Sequence, residues 1–278
     1  RPLEAALNGT AQLATMRSVS TVGLSAVTLL FEDGTDVYRA RQLVAERLQE
    51  AQTRLPAGVK PPRLAPPTTA VGEVVRVGLV PGNGAHGKIP GKNASLEDVR
   101  SFADWTLRPR LLGVRGVSNV VVHGGGLRQY QVLADPTRMA AYGVSLPQVV
   151  AAAQGANLNA PGGVLRQPDA ESLIQGVGRV RSLDDLADTV VAEREGTPIF
   201  LRQVATVAIG AGQPIGRAAI DGREAVQVTV WKQPWANTLQ TTEALERVLA
   251  ELRPTLPGGS AMRVTFRQAD FIETAVHN

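Results

Sequence analysis

Cysteine is absent from the 278 residues. That excludes a disulfide scaffold, a thiol nucleophile and a cysteine-bound zinc, although a large core needs no such staples and an oxidising compartment stays open. Aromatic residues make up only 4% of the chain, too few for a base-stacking surface. Lys and Arg are scattered, so the net charge of +4 carries little of a nucleic-acid footprint. No run approaches the roughly 20 apolar residues that span a bilayer. Catalytic signatures are missing too. Gly124-Gly125-Gly126 has neither the GK[ST] nor the GxGxxG form of a phosphate loop, and there is no GxSxG elbow. His86, His123 and His277 stand far apart, without metal-protease spacing. These absences argue against an enzyme. The chain opens at Arg1-Pro2, with no initiating Met, and closes at His277-Asn278 inside a helical pattern, which reads as a piece of something longer.

What is there is an internal echo. "ERLQEAQTRLPAGV" near the start resembles "ERVLAELRPTLPGG" near the end. Val44, Leu48, Ala51 and Leu55 recur as Leu245, Leu249, Leu252 and Leu256, at helix spacing. Pro56 and Gly58 then recur as Pro257 and Gly259, a pair that stops a helix because Pro cannot continue it and Gly takes the positive φ cheaply. Each helix follows an apolar run, Val27 to Phe31 and Val226 to Trp231.

Strands and helices alternate between these ends. Met16 to Phe31 suits one or two strands, Gly72 to Val80 a strand, and Lys60 to Thr69, with four prolines, an extended connector. Pro81 to Asn93 is a Gly- and Pro-rich loop. A helix capped by Ser95 runs to Leu112, with Pro109 bending it, and Phe102 and Trp105 at helical spacing are expected in the core. Strands follow at Val117 to Val122 and Arg128 to Ala134, then a helix from Leu146 to Ala156 capped by Ser145. Glu171 to Arg179 is a strand, and Ser182 with Asp184 and Asp185 opens a short helix. Thr197 to Ile209 reads as one strand or a hairpin arm, Ala218 to Trp231 as a hairpin turning at Asp221-Gly222, and Met262 to Phe266 as the last strand. The pattern predicts an α+β fold of repeated ferredoxin-like βαβ subdomains with insertions.

Several stretches carry a resemblance over essentially the whole chain. "VTLLFEDGTDVYRARQLVAERLQEAQTRLPAGVKPP", "AVGEVVRVGLV", "RQYQVLADPTRMAAYGVSLPQVVAA", "IQGVGRVRSLDDLADTVVAEREGTPIFLRQVATVAIG" and "FRQADFIETAVHN" resemble the first large periplasmic loop of resistance-nodulation-division (RND) efflux transporters, best of all the heavy-metal branch. The resemblance implies a first porter subdomain over 1–116 and a second over 117–165 and 217–278. Half of a docking domain would be inserted at 166–216, and the chain end would lead to the second transmembrane helix. It implies the periplasmic part of an inner-membrane protein of a Gram-negative bacterium, driven by the proton gradient. The whole pump would be a homotrimer working with a periplasmic adaptor (membrane fusion) protein and an outer-membrane channel, while this piece alone would be monomeric. No permanent cofactor and no nucleic acid are implied, only a transported cation such as Zn, Co, Cd or Ni. The rival readings are an organic-molecule pump of the same superfamily, which needs more aromatics, and a ferredoxin-like RNA-binding or ligand-sensing module.

Glu73 is the first candidate metal ligand. The resemblance places it on a substrate-pathway strand, where divalent-cation exporters carry a carboxylate, and a carboxylate suits Zn²⁺ or Co²⁺. Val74, Val75 and Arg76 stand where aromatics are common in the family, and Arg76 is placed to pair with the carboxylate. His123 at a strand end and His86 in the Gly-rich loop are the weaker candidate ligands, each as readily an exposed side chain. Gly124, Gly125 and Gly126 are expected to serve a hinge or close packing between subdomains. Met16, Met139 and Met262 show no cluster and are expected as core filler; Trp231 and Trp235 suit either core or a contact surface.

Overall fold

A computed structural model describes residues 2–21, 23–69, 71–82, 94–157, 160–167, 170–176, 180–213 and 216–277, with backbone alone between 160 and 176 and at 277. The chain opens with α1 (Pro2–Leu7), the hairpin strands β1 (Leu13–Thr21) and β2 (Leu24–Phe31), and α2 (Val37–Gln52). Strand β3 (Glu73–Val80) follows the proline-rich connector. Next come α3 (Leu96–Phe102), a π turn at Ala103–Leu107, α4 (Arg108–Leu112) and β4 (Val117–His123). The central insertion holds β5 (Arg128–Ala134), α5 (Pro136–Tyr142), α6 (Leu146–Gly155), β6 (Ala160–Gln167), β7 (Ala170–Gly176), α7 (Leu183–Ala187), β8 (Val190–Arg194), β9 (Thr197–Phe200), α8 (Leu201–Val204) and β10 (Ala205–Ala211). The chain ends with β11 (Ala218–Ile220), β12 (Arg223–Lys232), α9 (Thr238–Leu252), β13 (Ala261–Arg267) and α10 (Gln268–His277).

One sheet organises the molecule. β12 is hydrogen-bonded to β3 and to β4, β3 also to β13, and short β11 hairpins onto β12, every pairing antiparallel. Helices α3–α4 connect β3 to β4, and α9 connects β12 to β13, so each crossover skips one intervening strand. β-Branched residues fill both central strands, which suits a pleated, buried surface. Val75, Val77, Val226, Val228, Val230 and Val120 pack with Val99, Leu107 and Leu111 of α3–α4 and with Leu245 and Leu249 of α9. A second, smaller core lies in the insertion, where Val144, Val149, Leu186, Ile199, Leu201 and Val204 gather beside the β5–β10 pair. Among the described residues, β1 and β2 pair only with each other.

Three expectations change. Trp105, expected in the core, is 81% exposed. The helix from Ser95 widens at the π turn, where the Arg108 amide donates to the Ala103 carbonyl. The extra residue in that turn, just ahead of Pro109 with its missing N–H, rotates Trp105 away from the Val99–Ala103–Leu107–Leu111 stripe. The Thr197 to Ile209 strand is broken by α8, whose Leu201 and Val204 dive into the second core. Helix α5 was not anticipated, although Asp135 caps it, Pro136 starts it and Gly143 ends it at φ 60°. The loop around His86 lies outside the described residues.

Candidate metal site

Glu73 begins β3, and strict strand alternation would put it on the face of Val75 and Val77, inside the core. The register shows why it is elsewhere. Val75 pairs with Val230, but the next β12 residue, Trp231, pairs with Glu73, so Val74 is an extra residue in β3. Because of this bulge Val74 and Val75 are both fully buried, and Glu73 turns to the side of Arg76. Two more bulges lie beside it. Ser118 is the extra residue of β4 and Thr265 that of β13. Their hydroxyls take up the freed carbonyls: Ser118 donates to the Trp231 and Lys232 oxygens at 3.2 and 3.0 Å, and Thr265 to the Arg76 oxygen at 3.2 Å. Three bulges at one end of a sheet re-aim side chains there and nowhere else along β3.

The Glu73 carboxylate is 19% exposed and the Arg76 guanidinium 39%. Arg76 Nη2 donates to Oε2 at 3.0 Å. It also lies 2.8 Å from Oε1, but without an aligned hydrogen, so Oε1 remains a buried oxygen with an unfilled acceptor. The guanidinium sits 5.8 Å from the Phe266 ring centroid. Gln268, the first residue of α10, donates to the Val71 carbonyl at 2.9 Å and leaves its own Oε1 unpartnered. Two open oxygen acceptors therefore stand near the head of β3, and sequence pattern pointed only to the first. The Gln268 side chain belongs to a helix start, where no spacing rule marks a ligand.

His123 does not join them, and His86 lies outside the described residues. His123 is exposed at the far end of β4 and opposes Gln227, whereas Glu73 opposes Trp231. Four residues along β12 amount to about 13 Å. Among the described residues no three His, Asp or Glu side chains come together as a metal shell. Among the described residues Glu73, with Arg76 against it, is thus at most one arm of a cation site.

The triple glycine lies where the five-stranded sheet meets the insertion. Gly124 has φ 79°, and a side-chain carbon there would collide with the Ala225 carbonyl and sit 2.9 Å from Ala218 Cβ. One at Gly126 would meet the Gly212 carbonyl at 2.6 Å. The outgoing and returning strands of the insertion thus run backbone against backbone, tied by the Gly212 amide donating to the Leu127 carbonyl at 2.7 Å. Arg100 donates to the Gly124 carbonyl at 2.6 Å while held by Asp104, and Arg128 pairs across the joint with Asp98. The backbone amide of Ser95 chiefly, with the Ser95 hydroxyl and Arg128, holds the Asp98 carboxyl below the usual range. At the other end of the sheet Arg267 joins β13 to α9 and α10 by donating to Glu246, Asp270 and Glu273 at 2.8, 2.6 and 3.0 Å.

A family model, that of the AcrB/AcrD/AcrF family, matches residues 1–278. The cobalt-zinc-cadmium resistance protein CzcA of Cupriavidus metallidurans is 34% identical over 99% of this chain and 26% of its own length. The cation efflux system protein CusA of Escherichia coli strain K12 is 35% identical over 95% of this chain and 24% of its own. Among solved structures, a heavy metal efflux pump (crystal form II) superposes with a TM-score of 0.85 at 28% identity, over 99% of this chain and 26% of that one. The chain spans about a quarter of the length of the relatives it matches.

Proposed function

The chain belongs to the AcrB/AcrD/AcrF family, and from that premise we propose that it is the first periplasmic porter and docking segment of a proton-driven RND pump exporting divalent heavy-metal cations. The observation that carries this reading is the end-to-end likeness, in sequence and in shape, to a quarter of pumps named for cobalt, zinc, cadmium and other cations. No helix among the described residues is long and apolar enough to cross a membrane, which agrees with a part lying outside the bilayer.

The β13–β3–β12–β4 order with two skipping crossovers supports a ferredoxin-like porter unit. It also favours a porter boundary in the proline-rich connector before Glu73 rather than at 116. The first porter subdomain would then comprise 2–52, and the second β3 to β4 together with β11 to β13. The insertion from β5 to β10 would be the docking half. In this reading the second porter unit moves as one body, with the glycine joint at one end and the Arg267 cluster tying it to α10, the segment leading toward the membrane, at the other. Glu73 serves as a loosely held cation ligand, and Arg76 as the countercharge that a passing cation displaces. A homotrimer, an adaptor and an outer-membrane channel complete the working pump.

The test is transport. The pump carrying this chain, expressed in cells stripped of their own metal exporters, should lower accumulated Zn²⁺, Co²⁺, Cd²⁺ or Ni²⁺ several-fold. Glu73→Ala should raise accumulation back toward the empty-vector level. Unchanged metal content together with extrusion of organic dyes would favour the organic-molecule reading instead.

A further inference from the structure

The protein has few aromatics, yet two of them lean together at the surface without being buried. Tyr38, in the first turn of α2, and Trp235, in the turn between β12 and α9, have ring centroids 5.9 Å apart at 36°, while remaining 62% and 65% exposed. They form one side of a half-open cleft of about 680 Å³ between the α2 unit and the start of α9. That volume falls within the range of about 300–1,000 Å³ typical of small-molecule pockets. Arg115 and Gln233 line the cleft as well, and Asn237 and Gln240 add neutral hydrogen-bonding groups.

Charge decides the ligand class. Among the described residues of the lining, Arg115 is the only charged one. It is exposed and makes no ion pair or hydrogen bond among the described residues. With no carboxylate in the lining, the cleft offers a divalent cation only neutral oxygens beside a repelling guanidinium. A flat apolar ring matches the Trp235–Tyr38 pair, by stacking on the faces that stay open to solvent. An anionic head group matches the unpaired guanidinium, which presents two parallel donors to a carboxylate or sulfonate.

We propose that this cleft binds aromatic organic anions, with the ring on Trp235 and Tyr38 and the acid group on Arg115. The site is separate from Glu73 and stands whether or not the cation reading of the pump holds.

The experiment is a titration of the ¹⁵N-labelled chain, following the indole N–H signals of its three tryptophans. The probes are 2-naphthoate and its cationic counterpart 2-naphthylmethylammonium, which carry the same ring. Naphthoate should shift the Trp235 signal saturably, leave that of Trp105 in place, and bind at least about 10-fold tighter than the ammonium. Loss of a charge-assisted pair is worth about tenfold or more, so Arg115→Gln should weaken naphthoate by about that factor and leave the ammonium bound no more weakly than before. Tyr38→Ala should weaken both ligands several-fold while the remaining amide spectrum stays native. Equal affinity for the two probes would overturn the proposal. So would naphthoate binding unaltered by Arg115→Gln, shifts spread equally to the 81%-exposed Trp105, or no saturable shift at all.

Discussion

Helices α2 and α9 are built alike at their ends and differently along their flanks. Asp36 caps α2 by accepting from the Tyr38 and Arg39 amides, and Asn237, at the corresponding place, caps α9 by accepting from Gln240. Beyond each helix the same turn closes, with Val59 donating to the Pro56 carbonyl at 3.3 Å and Ser260 to the Pro257 carbonyl at 3.0 Å. Gly58 and Gly259 take φ 87° and 70°. Yet Leu249 of α9 is 4% exposed against the five-stranded sheet, whereas Leu48, its counterpart in α2, is only half-buried. The hairpin behind α2 is open as well, Val19, Leu24 and Leu30 being at least 63% exposed. The caps and stops are written within a dozen residues, while burial depends on which distant strands arrive to cover the apolar stripe. α9 packs against β3 of the five-stranded sheet and against α4 and α10; among the described elements the main neighbour of α2 is the short helix α1.

The largest expected effect breaks that comparison directly, because the same substitution can be made at both places. Leu249→Ala removes a buried side chain and should lower unfolding free energy by about 3 kcal/mol, within the range for such truncations. Leu48→Ala, with part of its surface already in water, should cost about 1 kcal/mol. Urea unfolding monitored by circular dichroism measures both. Equal losses would mean that the α2 unit is as closed as the sheet.

A smaller effect sharpens the local half of the comparison. Removing either cap, in Asp36→Ala or Asn237→Ala, should cost about 1 kcal/mol, and the two costs should agree to within a few tenths despite the difference in burial. A cap cost two or three times larger at Asn237 would show that capping there is bound up with the sheet and is not a property of the helix end.

The same division explains what could be read ahead of the structure. The hairpin turning at Asp221-Gly222, the capping box at Ser182 and Asp185, and both proline–glycine stops are contiguous signals, and each stands where the pattern puts it. Helix α5 carried an equally local signal, Asp135-Pro136 at one end and Gly143 at the other, that strand periodicity in the preceding residues overshadowed. Trp105 was hidden for a different reason: a π turn changes helix phase by one residue, and nothing in a 3.6-residue count announces it. The surroundings of Glu73 depend on three bulges, in β3, β4 and β13. A bulge belongs to a pair of strands, so Glu73 and its pairing with Arg76 could be singled out from their places in a strand, but neither the bulges that seat the pair there nor the open oxygen of Gln268 could be.

The smallest effect sets local against distant at one carboxylate. Asp98 completes the capping box of α3, its Oδ2 accepting from the Ser95 amide at 3.0 Å, and it also pairs with Arg128 across the glycine joint. Its folded pKa is lowered, the Ser95 amide being the largest cause. A lowered carboxyl pKa adds stability that is present in full above the unfolded value of about 4 and is lost as pH falls through the folded value. Asp98→Asn should therefore be less stable than the parent by under about 1 kcal/mol above pH 5, a figure kept small because the side chain is 37% exposed. The gap should shrink below pH 4, as the parent takes up its own proton. Arg128→Gln leaves the Ser95 bonds in place and should reproduce only a minor part of that pH-dependent loss. Urea midpoints of the three proteins between pH 2.5 and 7 measure it. If Arg128→Gln removes as much as Asp98→Asn, the carboxylate is held from across the joint, and this helix start, unlike those of α2 and α9, is not local.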